Sequence, residues 1–285
     1  MLASPLGSPC RGPAHRKSLK DGSLLSISPK KRISGRDNPE FKRFLAVRAR
    51  KDRDLILVEG PKLLGEAIRS KLVVKAIAVD ESVEGSPAGV SVPTLCFTAP
   101  LMKSLSDVET HQGIVALIER PRFGREWLAK EDAFVLVLDG LQDPGNVGTL
   151  LRTAEAAGVC GTLLTRGCAD PLSPKALRAS AGSAFRMPHV LDLSADDLLS
   201  LLPKHVRLVA AVAGELAVSA FGDSPLAPPI ALALGSEGSG LSPQIERAAS
   251  VRLRVPSAGD VESLNVAAAG AVLMFEIARR GGRLK

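Results

Sequence analysis

From Phe134 onward, short uninterrupted apolar runs alternate with stretches whose apolar positions recur every three or four residues. The runs Phe134–Leu138, Gly161–Leu164, Leu208–Ala213, Ile230–Leu234 and Val251–Val255 predict strands buried on both faces. The periodic stretches predict helices over Val147–Ala157, Lys175–Gly182, Asp196–Leu201, Pro243–Ala248 and Leu264–Arg280. Such alternation is the mark of an α/β unit with a parallel sheet and crossover helices. The last helix is Ala-rich and apolar on more than one side, so a sheet or a second subunit must cover it.

A smaller block precedes this one. The stretch N-P-E-F-K-R-F-L-A-V-R-A-R-K-D-R, Asn38 to Arg53, opens at Pro39 and sets Phe41, Phe44, Leu45 and Arg48 at helical spacing. Strands are predicted at Leu55–Val58, Val73–Val79 and Gly113–Ile118, with a helix after Pro61 and a short one at Leu101–Leu105. Residues 33–120 thus read as a small α/β domain, 121–132 as a linker, and 133–285 as a second domain. Residues 1–32 are rich in Ser, Pro, Gly and basic residues without periodicity, which predicts a disordered leader. The same composition also fits an organelle transit peptide.

Composition adds two constraints. An apolar fraction of 45% and a charged fraction of 24% are those of a soluble globular chain, and no apolar run approaches the ~20 residues of a membrane helix. The net charge is +7, but residues 1–53 hold 14 Lys/Arg against 4 Asp/Glu, leaving 23 against 26 in the remainder. Positive charge concentrated at the front suits a polyanion, nucleic acid first, with a solubilising tail as the plainer reading. Cys10, Cys96, Cys160 and Cys168 form no C-x-x-C pair, and His15, His111, His189 and His205 lie far apart. Thiols in a reducing compartment and no metal site are expected. The expected location is the cytoplasm, or an organelle if residues 1–32 are a transit peptide.

Three strand-to-helix loops carry more polar chemistry than their turns require. In D-G-L-Q-D-P-G-N-V-G-T-L-L-R, Gly145 and Gly148 would let backbone approach a ligand, Asn146 would cap the following helix, and Arg152 lies further along it. In A-L-A-L-G-S-E-G-S-G-L, Gly235, Gly238 and Gly240 surround Glu237, whose carboxylate would repel a phosphate and favour hydroxyls, amines or positive charge. In V-P-S-A-G-D-V-E-S-L-N-V, Ser263 and Asn265 precede the long helix. Taken singly, each has an ordinary structural reading as a cap or a solvated side chain. Together they build a site at the carboxyl ends of parallel strands. No G-x-x-x-x-G-K-[ST] occurs, and G-x-G-x-x-G does not follow the first strand, so P-loop hydrolysis and Rossmann oxidoreduction are disfavoured.

These three segments resemble the motifs of the SpoU/TrmH branch of the SPOUT RNA methyltransferases, in the same order and spacing over residues 133–280. Residues 33–120, with V-E-G-P-K-L at Val58 and H-Q-G-I at His111, resemble the substrate-binding domain that often precedes it. The resemblance implies a SPOUT domain with a C-terminal trefoil knot, preceded by a small α/β RNA-binding domain. It also implies a homodimer and S-adenosylmethionine held against Gly235, Val255 and Leu264, with Leu234 and Gly240 alongside. Arg152 would act at a ribose 2′-hydroxyl, while Asn146, Glu237, Ser263 and Asn265 would shape the site. One departure is Ala267, where many relatives continue with Ser. The implied function is 2′-O-methylation of ribose in structured RNA, with ribosomal RNA ahead of transfer RNA. A ribosome-directed antibiotic-resistance methylation is a related reading, and a non-catalytic RNA-binding assembly factor is the alternative of a different class.

Overall fold

The computed structural model describes residues 32–81, 92–106, 112–214, 217–222, 226–260 and 263–284. The chain begins with β1 (Arg32–Ile33), α1 (Pro39–Arg48), β2 (Leu55–Glu59) and α2 (Pro61–Arg69). It continues through β3 (Val74–Asp80), β4 (Thr94–Phe97), α3 (Ala99–Leu105) and β5 (Ile114–Glu119). Their sheet runs β1-β4-β3-β5-β2, parallel among the first three strands and antiparallel where β5 meets β3 and β2. Arg32, assigned to the leader from sequence, is instead the first residue of β1; residues 1–31 and His111 lie outside the described residues.

A short turn of helix at Glu126–Ala129 follows, within the segment read as a linker. Trp127 and Leu128 are buried there, and the Trp127 indole packs so closely on Gly161 that a Cβ at that position would overlap it. Next come β6 (Phe134–Asp139), α4 (Pro144–Ala156), β7 (Gly161–Thr165), α5 (Pro174–Ser180), β8 (His189–Leu193) and α6 (Ala195–Leu201). The chain closes with β9 (Arg207–Ala211), β10 (Val218–Ser219), β11 (Ile230–Gly235), α7 (Pro243–Ala248), β12 (Val251–Arg254) and α8 (Val266–Arg280). The second sheet is parallel throughout, in the order β10-β12-β9-β11-β6-β7-β8. Among the described residues, no helix is long and apolar enough to cross a membrane.

Strand residues alternate between faces, and both faces of each sheet are covered. Val135, Val137, Ala231 and Ala233 meet Leu198 of α6 and Ile245 of α7, with Trp127 at the edge. Phe134, Leu136, Leu138, Ile230 and Leu232 face α4 and α8. That second cluster does not stop at the sheet: it includes Ile56, Val58, Val79 and Ile118 from the first sheet. The opposite face of the first sheet packs on α1 and α3, where Phe41 and Phe44 each meet Phe97 edge-on.

Ion pairs fasten the junction of the two sheets. Arg120 holds Asp170 at 2.5 Å, and Arg186 bridges Glu155 of α4 at 2.6 Å and Glu66 of α2 at 3.0 Å. Burial pushes the Asp170 carboxyl up, but the hydrogen bond and charge of Arg120 outweigh it, leaving Asp170 below the usual carboxylate range. Glu66 behaves likewise, its burial outweighed by Arg69 and Arg186, and the Arg186 hydrogen bond holds Glu155 low.

Four helices end in the same closure, in which a left-handed residue lets its own N–H and that of the next residue reach back to orphan carbonyls. In α4 and α8 that residue is Gly158 (φ +76°) and Gly282 (φ +65°). In α1 and α2 it is Arg50 (φ 56°) and Lys71 (φ 59°). For α1, Arg50 N–H donates to Val47 and Lys51 N–H to Ala46, each at 2.9 Å.

Candidate active site

The chain passes from β6 to β7 and β8 on one side, then crosses to β9 on the other, with β11 filling the place beside β6. The strand order therefore reverses between β6 and β11, and a ligand crevice is expected outside the carboxyl ends at such a point. Gly235 at the end of β11 pairs in register with Asp139 at the end of β6, so the first two motif loops leave the sheet side by side.

Asp139 organises this edge, a role the sequence reading missed. Its buried carboxylate accepts the Thr165 hydroxyl at 2.8 Å and the Ser242 N–H at 2.6 Å, while Thr165 Oγ1 accepts the Gly140 N–H at 3.0 Å. One side chain thus ties the ends of β6 and β7 to the residue that begins α7. The available signal was an acid closing an otherwise apolar run, F-V-L-V-L-D.

The start of α4 differs from expectation. Asp143, not Asn146, caps it: the Asp143 carboxylate accepts the Gly145 N–H at 3.0 Å, and Pro144 takes the first helical position. Asp-Pro is the ordinary cap-then-proline signal. Lys175 at the start of α5 also holds Asp143, at 2.6 Å. The Lys175 hydrogen bond, with help from the Gly145 amide, lowers the Asp143 pKa. Gly148 serves packing rather than ligand approach, since a Cβ there would lie 2.4 Å from the Ala176 carbonyl and 2.7 Å from Ala179. It lets α4 and α5 touch backbone to backbone.

With Asp143 as cap, Asn146 sits inside the first turn and its side chain is released for other contacts. Its amide donates to Glu237, and its carbonyl oxygen accepts the Asn265 amide at 3.4 Å. Asn265, not Ser263, caps α8, accepting from Ala267 N at 2.9 Å and Ala268 N at 3.4 Å. Three residues from three loops, the first and last 119 positions apart, form one polar chain. Glu237 is presented by a small hairpin in which Ser236 and Gly240 exchange backbone hydrogen bonds at 3.1 and 2.9 Å. Gly235 is required beneath it, because a Cβ would meet the Gly240 carbonyl carbon at 2.1 Å.

Arg152 is exposed on α4 and makes no hydrogen bond or ion pair among the described residues. Helical geometry sets it about 9 Å along the axis and about 120° round from Asn146. Ser263 is also exposed, without a hydrogen bond to Asn146, Glu237 or Asn265. The polar chain therefore unites Asn146, Glu237 and Asn265, while Arg152 and Ser263 border it without touching it.

The proposed cofactor residues lie along the same edge. Leu234 is buried in β11, Gly235 ends that strand, and Gly240 turns back with φ +67°. Val255 follows β12, which ends at Arg254, and Leu264 is 42% exposed just before α8. The main chains of Val255 and Leu264 make no backbone hydrogen bonds among the described residues. Unused backbone groups beside an uncovered Leu fit a ligand that combines an apolar ring system with polar edges, as S-adenosylmethionine does.

Residues 133–275 match the SpoU rRNA Methylase family. The chain belongs to that family. Residues 38–116 match the MRM3-like substrate binding domain. The "23S rRNA (guanosine(2553)-2'-O)-methyltransferase RlmP" of Bacillus subtilis is 32% identical over 251 residues, covering 87% of this chain and 99% of the relative. An AdoMet-bound rRNA methyltransferase from Sinorhizobium meliloti superposes with a TM-score of 0.75 at 27% identity, over 88% of this chain and 97% of its own. The SpoU methyltransferase AviRb from Streptomyces viridochromogenes, in complex with AdoMet, gives 0.76 at 25% identity, over 85% and 98%.

Proposed function

We propose that the protein transfers a methyl group from S-adenosylmethionine to the 2′-hydroxyl of a ribose in structured RNA, with ribosomal RNA as the substrate class. The polar chain Asn146–Glu237–Asn265 at the strand carboxyl edge carries this reading. The relatives that span both units support ribosomal RNA, since the Bacillus subtilis protein, covered over 99% of its length, is named for 23S rRNA.

Leu234, Gly235, Gly240, Val255 and Leu264 would hold the cofactor, which when bound supplies an electrophilic methyl carbon. A ribose hydroxyl is a weak nucleophile, so alignment of its oxygen supplies much of the acceleration. Glu237, fixed through Asn146, and Asn265, fixed by its own helix cap, are held in position to orient that hydroxyl. Ser263 adds a second hydroxyl-bonding group at the rim. Arg152 keeps its guanidinium free to steady negative charge on the oxygen or to hold an adjacent phosphate. Residues 33–120 would bind RNA, 121–132 would join the units, and residues 133–285 would form the knotted SPOUT domain. Phe275 on α8 is 41% exposed and Phe221 57% exposed, apolar surface that a second copy would cover in a homodimer.

With labelled S-adenosylmethionine, the purified protein should methylate ribosomal RNA and spare DNA of the same sequence. Arg152→Ala should lower transfer by about 100-fold or more while calorimetry still detects the cofactor. Equal labelling of RNA and DNA would remove the assignment, and full turnover by the Arg152 variant would remove its role.

A further inference from the structure

A cleft of about 620 Å³ opens between the end of α1 and the start of α5, lined by Lys42, Leu45, Arg48, Arg50, Lys51 and Pro174 among others. Among the described residues that line it, four are cationic and none is acidic. Among the described residues the neighbouring carboxylates already have partners: Asp37 pairs with the cleft residue Lys42, Asp52 accepts the backbone N–H groups of Asp54 and Leu55, and Asp170 is bonded by Arg120 while also feeling the charge of Arg50. Arg48 is fixed, donating to the carbonyls of Ser104 and Ser106. Arg50 and Lys51 are exposed and donate no side-chain hydrogen bond among the described residues.

Arg50 also sits where glycine would be the easier choice. The left-handed conformation is unfavourable for a residue with a Cβ, and Arg48 already supplies a cation to the last turn of the helix. Lys71 closes α2 in the same conformation; what distinguishes Arg50 is that it also forms a wall of the cleft.

We propose that this cleft is a docking site for the phosphodiester backbone of the substrate RNA, with Arg50 and Lys51 as its phosphate-binding pair. This rests on the RNA-methyltransferase reading above. The cleft connects to the catalytic edge through consecutive residues: Pro174 lines it, and Lys175 holds the Asp143 cap of the helix that carries Asn146 and Arg152. An RNA strand lying in the cleft is thereby led toward the start of α4.

The test uses the full chain carrying Arg50→Asn and Lys51→Gln, since Asn tolerates the left-handed conformation. Binding of a short fluorescent RNA hairpin is followed by anisotropy across a salt series, with no methyl transfer required. Affinity should fall about tenfold, and the slope of log affinity on log salt should become shallower by about 1.4–1.8 for two lost phosphate contacts. Melting temperature and calorimetric S-adenosylmethionine binding should hold, and the Arg50→Lys/Lys51→Arg variant should recover most of the affinity. Unchanged hairpin affinity and salt slope would overturn the site, as would failure of the charge-preserving variant to recover binding in a folded protein. A chain that binds the hairpin through these residues but methylates no RNA would instead sink the reaction and leave the docking site standing.

Discussion

Two helices in each unit close with the same backbone geometry and different residues. In the second unit the left-handed position after α4 and α8 is Gly158 and Gly282; in the first, after α1 and α2, it is Arg50 and Lys71. The hydrogen-bond pattern is the same in all four. At these four ends the second unit uses glycine and the first uses a cation, although α5 of the second unit also closes on a residue with a Cβ, Ala181 at φ 49°. What separates the two pairs of helix ends is therefore the charge they display rather than strain alone.

The largest effect is expected where the second unit depends on glycine for contact. Gly148→Val should lower unfolding free energy by about 3 kcal/mol in urea titration, because the new side chain meets the Ala176 backbone. At the junction, Arg120→Ala should cost about 2 kcal/mol by leaving Asp170, among the described residues, with only the Leu172 N–H as a hydrogen-bond partner. The junction carboxylates Asp170, Glu66 and Glu155 are all held low in the folded protein. Their stabilisation is complete above the unfolded pKa and is lost as pH falls through the folded values. The melting temperature should therefore drop from about pH 5 downward, and Arg186→Met should flatten that dependence; a flat wild-type profile would refute the role of these pairs. Gly158→Ala should destabilise by about 1 kcal/mol. Smallest of all, Arg50→Gly and Lys71→Gly should be neutral or stabilise by under about 1 kcal/mol, relief of strain being partly offset by a freer unfolded chain. If Arg50→Gly harmed stability as much as Gly158→Ala, the contrast between the units would collapse.

Most of the second sheet was legible because strands buried on both faces leave unbroken apolar runs. The elements missed were β1 and β10, each two residues long, β4, and β8, whose H-V-L-D-L interrupts its apolar run with Asp192 at φ 59°. β1, β10 and β8 are edge strands, which carry little of the periodic signal that marks a central one, whereas β4 lies between β1 and β3 but is only four residues long, T-L-C-F. For the site, the motifs brought the right loops together, and Asn146, Glu237 and Asn265 do meet. Their local roles were misread because a cap is decided by where the helix begins: Asp143-Pro144 starts α4 three residues earlier than expected, and Asn265 displaces Ser263 as the cap of α8. Asp139 and Lys175 went unseen because their partners lie 103 and 32 residues away, distances over which no local pattern speaks.

Because a single apolar cluster runs through both sheets, the two units share one core rather than meeting as separate lobes. If the basic cleft and the strand edge act as proposed, their spacing would serve as a caliper: an RNA whose backbone and target sugar stood at the wrong distance would be rejected by geometry, and changing the target would require resizing the frame rather than repainting the surface.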